Sequence, residues 1–171
     1  DFQQTNVIGE SISEGTGGVT ESGRTRVVLP LTGIYADNDH VLGHELVHVF
    51  QYDIAATATR NRRRFALEQL PLWLVEGMAE YLSLGRYDPL TAMWLRDAVL
   101  RDDLPTLRQL SRDPRYFPYR YGQAFWAWYA GVFGDAAVER VYRTALRQGW
   151  EQALRTTTGR SADSLSAAWH R

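Results

Sequence analysis

The spacing of apolar residues changes once along this chain, near residue 36, and that change limits the fold more than any other feature. Residues 1–36 are rich in Gly, Thr, Ser and Val and carry no helical repeat. Within them, 24–31 reads as a strand ended by Pro30 and Gly33, and 5–12 as a weaker strand. Between the two, 14–21 reads as a loop, because Gly15, Gly17 and Gly18 give the backbone freedom at an entropic cost.

Beyond that point the pattern is helical to the C-terminus. Residues 35–39 offer capping side chains, and Val41, Leu42, Leu46, Val49 and Phe50 recur at three-to-four spacing. They predict a buried helix that runs toward the arginine-rich stretch 60–64. Pro71 marks a helix start and Gly85 a helix end, which predicts a second helix over 72–84. Further helices are predicted over 89–101 with Asp88 as cap, 106–111, 119–133, 135–147, 150–157 and 161–169. Gly134, Gly149 and Gly159 punctuate them, and Ser161 is a natural N-cap. Few strands followed by many helices define an α+β fold in which the helical part, 37–171, dominates a small N-terminal β-strand region, 1–36. The whole length, 1–171, suits one domain. Two strands alone make a marginal sheet, which argues for a piece of a longer polypeptide.

Composition removes several classes of function. Hydrophobic residues at 44% and charged residues at 23% exclude a disordered or fibrous chain. Nineteen basic residues, all arginine, against twenty acidic ones give a net charge of -1, which argues against a nucleic acid partner. Residues 60–64 lack interleaved aromatics and read as a solvated loop. No cysteine means no disulfides and no thiolate metal site, so any metal must be held by His, Asp or Glu. No apolar run approaches the roughly 20 residues that span a bilayer, so no transmembrane segment is expected. Asp1 opens a polar segment without a signal pattern, and the chain reads as cytosolic or already processed.

Against this plain background one constellation stands out. Residues 44–48 spell HELVH, and on a helix His44 and His48, four apart, point the same way. Glu45 sits one position round, where a carboxylate can take a proton from a water on the same metal. Leu46, Val47, Val49 and Phe50 would bury that helix and keep bulk water from the ion. A catalytic zinc site needs three protein ligands and an open position, and only His40 and His170 remain as other imidazoles, which points to a carboxylate as the third. Glu76, in the stretch PLWLVEGMAEY at 71–81, is the best one. Glu80 follows one turn later on the same face, so that one carboxylate can bind the metal while the other accepts the free N–H of a ligating imidazole. His40 reads as an exposed polar residue at a helix start, His170 as an inert terminal one, and Asp53 as an exposed helix-end carboxylate. Trp126, Trp128 and Trp150 read as core.

These motifs resemble the gluzincin zinc metallopeptidases. HELVH is similar to their first motif and WLVEGMAEY to their second. The resemblance is closest to the bacterial peptidase MA-like proteins, in which phrases similar to HVLGHELVHVFQYD, WLVEGMAEY and YRYGQAFWAWYAGVFGD occur in this order, and it covers nearly the whole chain. It implies a zincin-like catalytic domain holding one zinc ion through His44, His48 and Glu76, with Glu45 as general base and Glu80 bracing a zinc-bound histidine. It further implies a tyrosine that steadies the oxyanion, Tyr121 or Tyr119, with Tyr121 preferred. Positions two apart on a helix point nearly oppositely, so at most one of the pair faces the metal. The Gly-rich segment 14–21 stands where one-zinc aminopeptidases carry their glycine-x-methionine-glutamate-asparagine strand, but lacks the methionine and asparagine, which leaves endopeptidase and exopeptidase both open. An edge strand there can still pair with an extended peptide. The resemblance implies a peptide or protein substrate and an extracytoplasmic bacterial setting. The alternatives are a catalytically inactive zincin-like binding module of a larger surface protein and a zinc-dependent hydrolase of non-peptide amides.

Overall fold

Helices carry most of the chain in the computed structural model, which describes residues 16–21, 26–58 and 69–171. The predicted strand at 5–12 and the arginine-rich stretch at 60–64 lie outside the described residues. The described elements are β1 (Val19–Glu21), β2 (Arg26–Val28), α1 (Tyr35–Ala58), α2 (Leu72–Leu84), α3 (Pro89–Leu100), α4 (Leu107–Leu110), α5 (Pro118–Phe133), α6 (Asp135–Gln148), α7 (Trp150–Thr158) and α8 (Ala162–Trp169). This is an α+β arrangement, predominantly helical with a small two-stranded sheet. Among the described residues no helix is long and apolar enough to cross a membrane.

Helix boundaries follow local chemistry. The Asp88 carboxylate accepts the Thr91 N–H at 2.7 Å and starts α3. Thr106 and Gln109 form a reciprocal capping box on α4, and Ser161 accepts the Ser164 N–H at the head of α8. Gly85, at φ +80°, ends α2 with its N–H on the Tyr81 carbonyl, a backbone conformation that side chains rarely adopt.

The expected sheet and the phase of α1 both need correction. The segment 14–21 is not wholly a loop, because Val19–Glu21 is β1, antiparallel to β2 with Val19 opposite Val28 and Thr20 opposite Val27. Of the strand expected over 24–31, residues 26–28 form β2 and 29–31 do not, while 24 and 25 lie outside the described residues. The second correction concerns the phase of α1. Its buried residues are His44, Glu45, His48, Gln51 and Ala55, whereas Leu42, Leu46 and Phe50 are 43%, 45% and 67% exposed. The period is helical, but the polar side is the inner one. Polar groups can be buried if each finds a partner, and these do, as shown below.

The core forms where α2 lies against α5, the most extensive helix contact in the structure. Trp73, Leu74, Phe125, Trp126 and Tyr129 are wholly buried there, and the half-buried Trp128 and Trp150 pack on them. Their polar ends are satisfied, since Trp126 Nε1 donates to the Leu74 carbonyl at 3.2 Å and Trp73 Nε1 to Ser111 Oγ at 2.7 Å. The crossing is made by two glycines. A Cβ on Gly77 would lie 2.4 Å from Gly122 Cα, and one on Gly122 would lie 2.5 Å from the Trp73 carbonyl oxygen. The backbones therefore touch one residue beyond Glu76. On its other side α2 packs against α1, which also meets α6 and β1. Tyr142 of α6 donates its hydroxyl to the Gln51 carbonyl at 2.8 Å, tying α1 to the helical body.

Candidate metal centre

Two turns of α1 and one of α2 bring three ligand-type atoms together. His44 Nε2 and His48 Nε2 lie 3.0 Å apart, and Glu76 Oε2 lies 3.2 Å from the first and 3.1 Å from the second. His44 and His48 are buried, and Glu76 is half-buried.

The remaining nitrogen of each ring shows which atoms carry lone pairs. His48 Nδ1 lies 2.7 Å from Gln51 Oε1. The Gln51 amide is wholly buried, and its orientation is fixed because its Nε2 donates to the Val75 carbonyl at 2.9 Å. Its oxygen therefore accepts from His48 Nδ1, which leaves a lone pair on His48 Nε2 in the neutral ring. His44 Nδ1 faces Glu80 Oε1 at 2.9 Å, which favours the same tautomer. Two imidazole lone pairs and a carboxylate oxygen then converge with no donor among them. A divalent cation fits that donor set, and it must be one that accepts nitrogen and oxygen ligands.

Without a cation a proton does the same work. Burial by itself opposes a charged His44, but hydrogen bonds to Glu76 and Glu80, and their charges, outweigh it and raise the ring to about 9. Glu76 and Glu80 are each lowered to about 2, because the histidines facing them overcome the effect of burial. The sign of the consequence differs for the two residue types. His44 stabilises the metal-free fold fully below its unfolded value of 6.5, and that contribution is lost as pH rises through about 9. The two carboxylates contribute fully above 4.5, and lose it as pH falls toward about 2. Thermal unfolding in chelator should therefore show greatest stability between about pH 4.5 and 6.5, with a decline on both sides.

A second cluster, His40, His44 and Glu80, repeats the first one turn away on both helices. His40 is thus not the exposed residue expected, since its Nε2 lies 3.1 Å from Glu80 Oε1. What separates the two clusters is Arg120, whose Nη1 lies 3.0 Å from Glu80 Oε2 and 3.3 Å from Asp88 Oδ2. A guanidinium there neutralises Glu80 and repels a cation, so the His44, His48 and Glu76 set is the better metal site. Glu80 thus contacts both a histidine and an arginine.

The centre opens into a cleft of about 390 Å³ whose lining includes Gly17, Gly18, His44, Glu45, Phe117 and Tyr119. Here the preference for Tyr121 is reversed. The Tyr119 ring stacks on His44 with centroids 5.9 Å apart, and its hydroxyl is pushed well above the ordinary range by burial and then by Glu76, Glu45 and Glu80. Tyr121 points into the core, 5.9 Å from Tyr116 and 6.1 Å from Trp94 between centroids. The two tyrosines do diverge, as α-helical geometry requires. Asp53 is exposed, and the side chain that orients His48 is Gln51, three residues further along the same face. That spacing was visible in the sequence. Arg120 and Thr20, whose hydroxyl meets Glu45, left no such sign.

Comparison with known proteins points to a peptidase-related family. The family model described as "Peptidase of plants and bacteria" matches residues 32–169, a span that includes α1, α2 and the cleft residues Phe117 and Tyr119. No curated protein and no solved structure matches significantly. With the match extending over most of its length, the chain belongs to the BSP family of peptidases of plants and bacteria.

Proposed function

We propose that this chain is a zinc metallopeptidase of the gluzincin type with a zincin-like fold, in which His44, His48 and Glu76 hold one zinc ion and Glu45 is the general base. One observation carries the reading, namely the convergence of His44 Nε2, His48 Nε2 and Glu76 Oε2 within 3.2 Å of one another beside an open cleft. Two imidazoles and one carboxylate are a ligand set that suits zinc and leaves a position for substrate or water.

Bound zinc would supply Lewis acidity, making a water acidic near neutral pH and polarising the scissile carbonyl. The chain's own groups do the rest. Glu45 takes a proton from the attacking water as its oxygen joins the carbonyl carbon. When the carbon–nitrogen bond breaks, Glu45 returns that proton to the leaving nitrogen, so a carboxylic acid and an amine are released. Tyr119, kept protonated by burial and then by its acidic neighbours, donates its hydroxyl to the developing oxyanion. Gln51 and Glu80 hold the two rings with their Nε2 atoms toward the metal position.

The test is turnover of casein or a mixed peptide library, abolished by a chelator and restored by zinc. A zinc-loaded protein that turns over neither would favour the binding-module reading. Within the same assay, Tyr119→Phe should lower kcat by about a hundredfold with little change in KM. Tyr121→Phe should stay within about twofold of wild type, because its hydroxyl lies away from the metal; the opposite ranking would restore Tyr121 to the site.

A further inference from the structure

We propose that Thr20, on β1, is a positioning residue that holds the Glu45 carboxylate in one orientation for proton transfer. The proposal rests on the reading of Glu45 as general base given above. Thr20 Oγ1 lies 2.5 Å from Glu45 Oε2 and 3.1 Å from the Glu45 backbone carbonyl oxygen. A hydroxyl has one hydrogen for these two acceptors, and the carboxylate oxygen, at the shorter distance, takes it.

Gly18 provides a second and independent contact. It lies two residues before Thr20, so both address the same face of the extended segment. A Cβ on Gly18 would fall 2.7 Å from Glu45 Oε1 and 2.8 Å from Glu45 Cγ. The carboxylate is thus hydrogen-bonded through one oxygen and pressed on bare backbone through the other. Glu45 is only 6% exposed, yet a glutamate side chain has several rotatable bonds to restrain. Displacement of a catalytic group by about 1 Å can cost a hundredfold in rate. The register of β1 against β2, with Thr20 opposite Val27, fixes where the hydroxyl stands, and the ion pair between Glu21 and Arg26 closes that short sheet. The small sheet therefore serves the base directly.

Thr20→Val keeps the shape and removes the hydroxyl, whereas Thr20→Ser keeps the hydroxyl. Thr20→Val should retain zinc affinity by calorimetry and KM within about twofold, while kcat falls about ten- to a hundredfold, the range for losing a hydrogen bond to a charged group. Thr20→Ser should recover kcat to within about threefold of wild type. Crystal structures of the metal-free proteins should show Glu45 in one rotamer with Thr or Ser at position 20, and in more than one with Val. Gly18→Ala, which displaces the carboxylate from its other side without touching Thr20, should also lower kcat at unchanged zinc affinity, and it carries the test if Thr20→Val fails to fold. Wild-type kcat in Thr20→Val, a single unmoved Glu45 rotamer in that variant, or no recovery with Ser would overturn the proposal. If the wild-type protein itself cleaves no peptide, the general-base reading falls, and the rotamer comparison still decides whether Thr20 positions Glu45.

Discussion

Replacing Glu45 with glutamine should leave zinc bound and stop turnover. The side chain is buried beside His44 but lies outside the set formed by His44, His48 and Glu76, so a metal held there would lose no ligand. An amide has nearly the shape of the carboxylate and can still accept the Thr20 hydroxyl through its oxygen, which preserves the local packing. What it loses is the ability to take a proton and return it. General acid–base catalysis by one side chain is worth about 10²–10⁴ in rate, so kcat should fall by about a thousandfold while zinc content and KM stay near wild type. Steady-state kinetics beside metal analysis on the same preparation checks this. Wild-type turnover in Glu45→Gln would place the base elsewhere in the cleft.

The largest structural effect should come from Gly77→Ala. The added methyl would stand 2.4 Å from Gly122 Cα and 2.5 Å from the Gly122 carbonyl carbon, and neither is a flexible group that can turn aside. The helices α2 and α5 must separate along the largest contact in the fold, and the aromatic core between them loses its fit. Overpacking of this kind costs about 3 kcal/mol, a large share of the roughly 5–15 kcal/mol that stabilises a typical domain. For a chain of this size the expected fall in Tm is roughly 10 °C. Activity should fall too, because Gly77 adjoins Glu76 and a shift of α2 moves that carboxylate away from the histidines. An unchanged Tm would mean that the crossing is looser than described.

Much of this fold was legible because its boundaries are written in local chemistry. Pro71 and Gly85 bracket α2 at the expected bounds, and Asp88 and Ser161 cap the helices they were expected to cap. Failures came where a residue's environment is made by distant partners. Hydropathy put Leu42, Leu46 and Phe50 inside, but His44, His48 and Gln51 supply hydrogen-bond partners for one another and for α2, and so face inward. Strand β1 is three residues long and owes its form to pairing with β2, which no propensity within a glycine-rich segment reveals. The ligand candidates were legible for a different reason. Two histidines one turn apart, and two carboxylates in an otherwise apolar helix, are costly to bury without a purpose, so their chemistry shows through the pattern. Tyr119 and Tyr121 are equivalent in the sequence, and only the neighbours, His44 for one and Trp94 for the other, tell them apart.

Zinc content of the purified protein, determined beside His44→Ala and Glu76→Ala, bears most directly on the metal centre. One zinc ion per chain in the wild type, and its loss from both folded variants, is the expected result. Zinc retained at full occupancy in Glu76→Ala, or no zinc bound by the wild type after incubation with the metal, would contradict a centre built from two turns of α1 and one of α2.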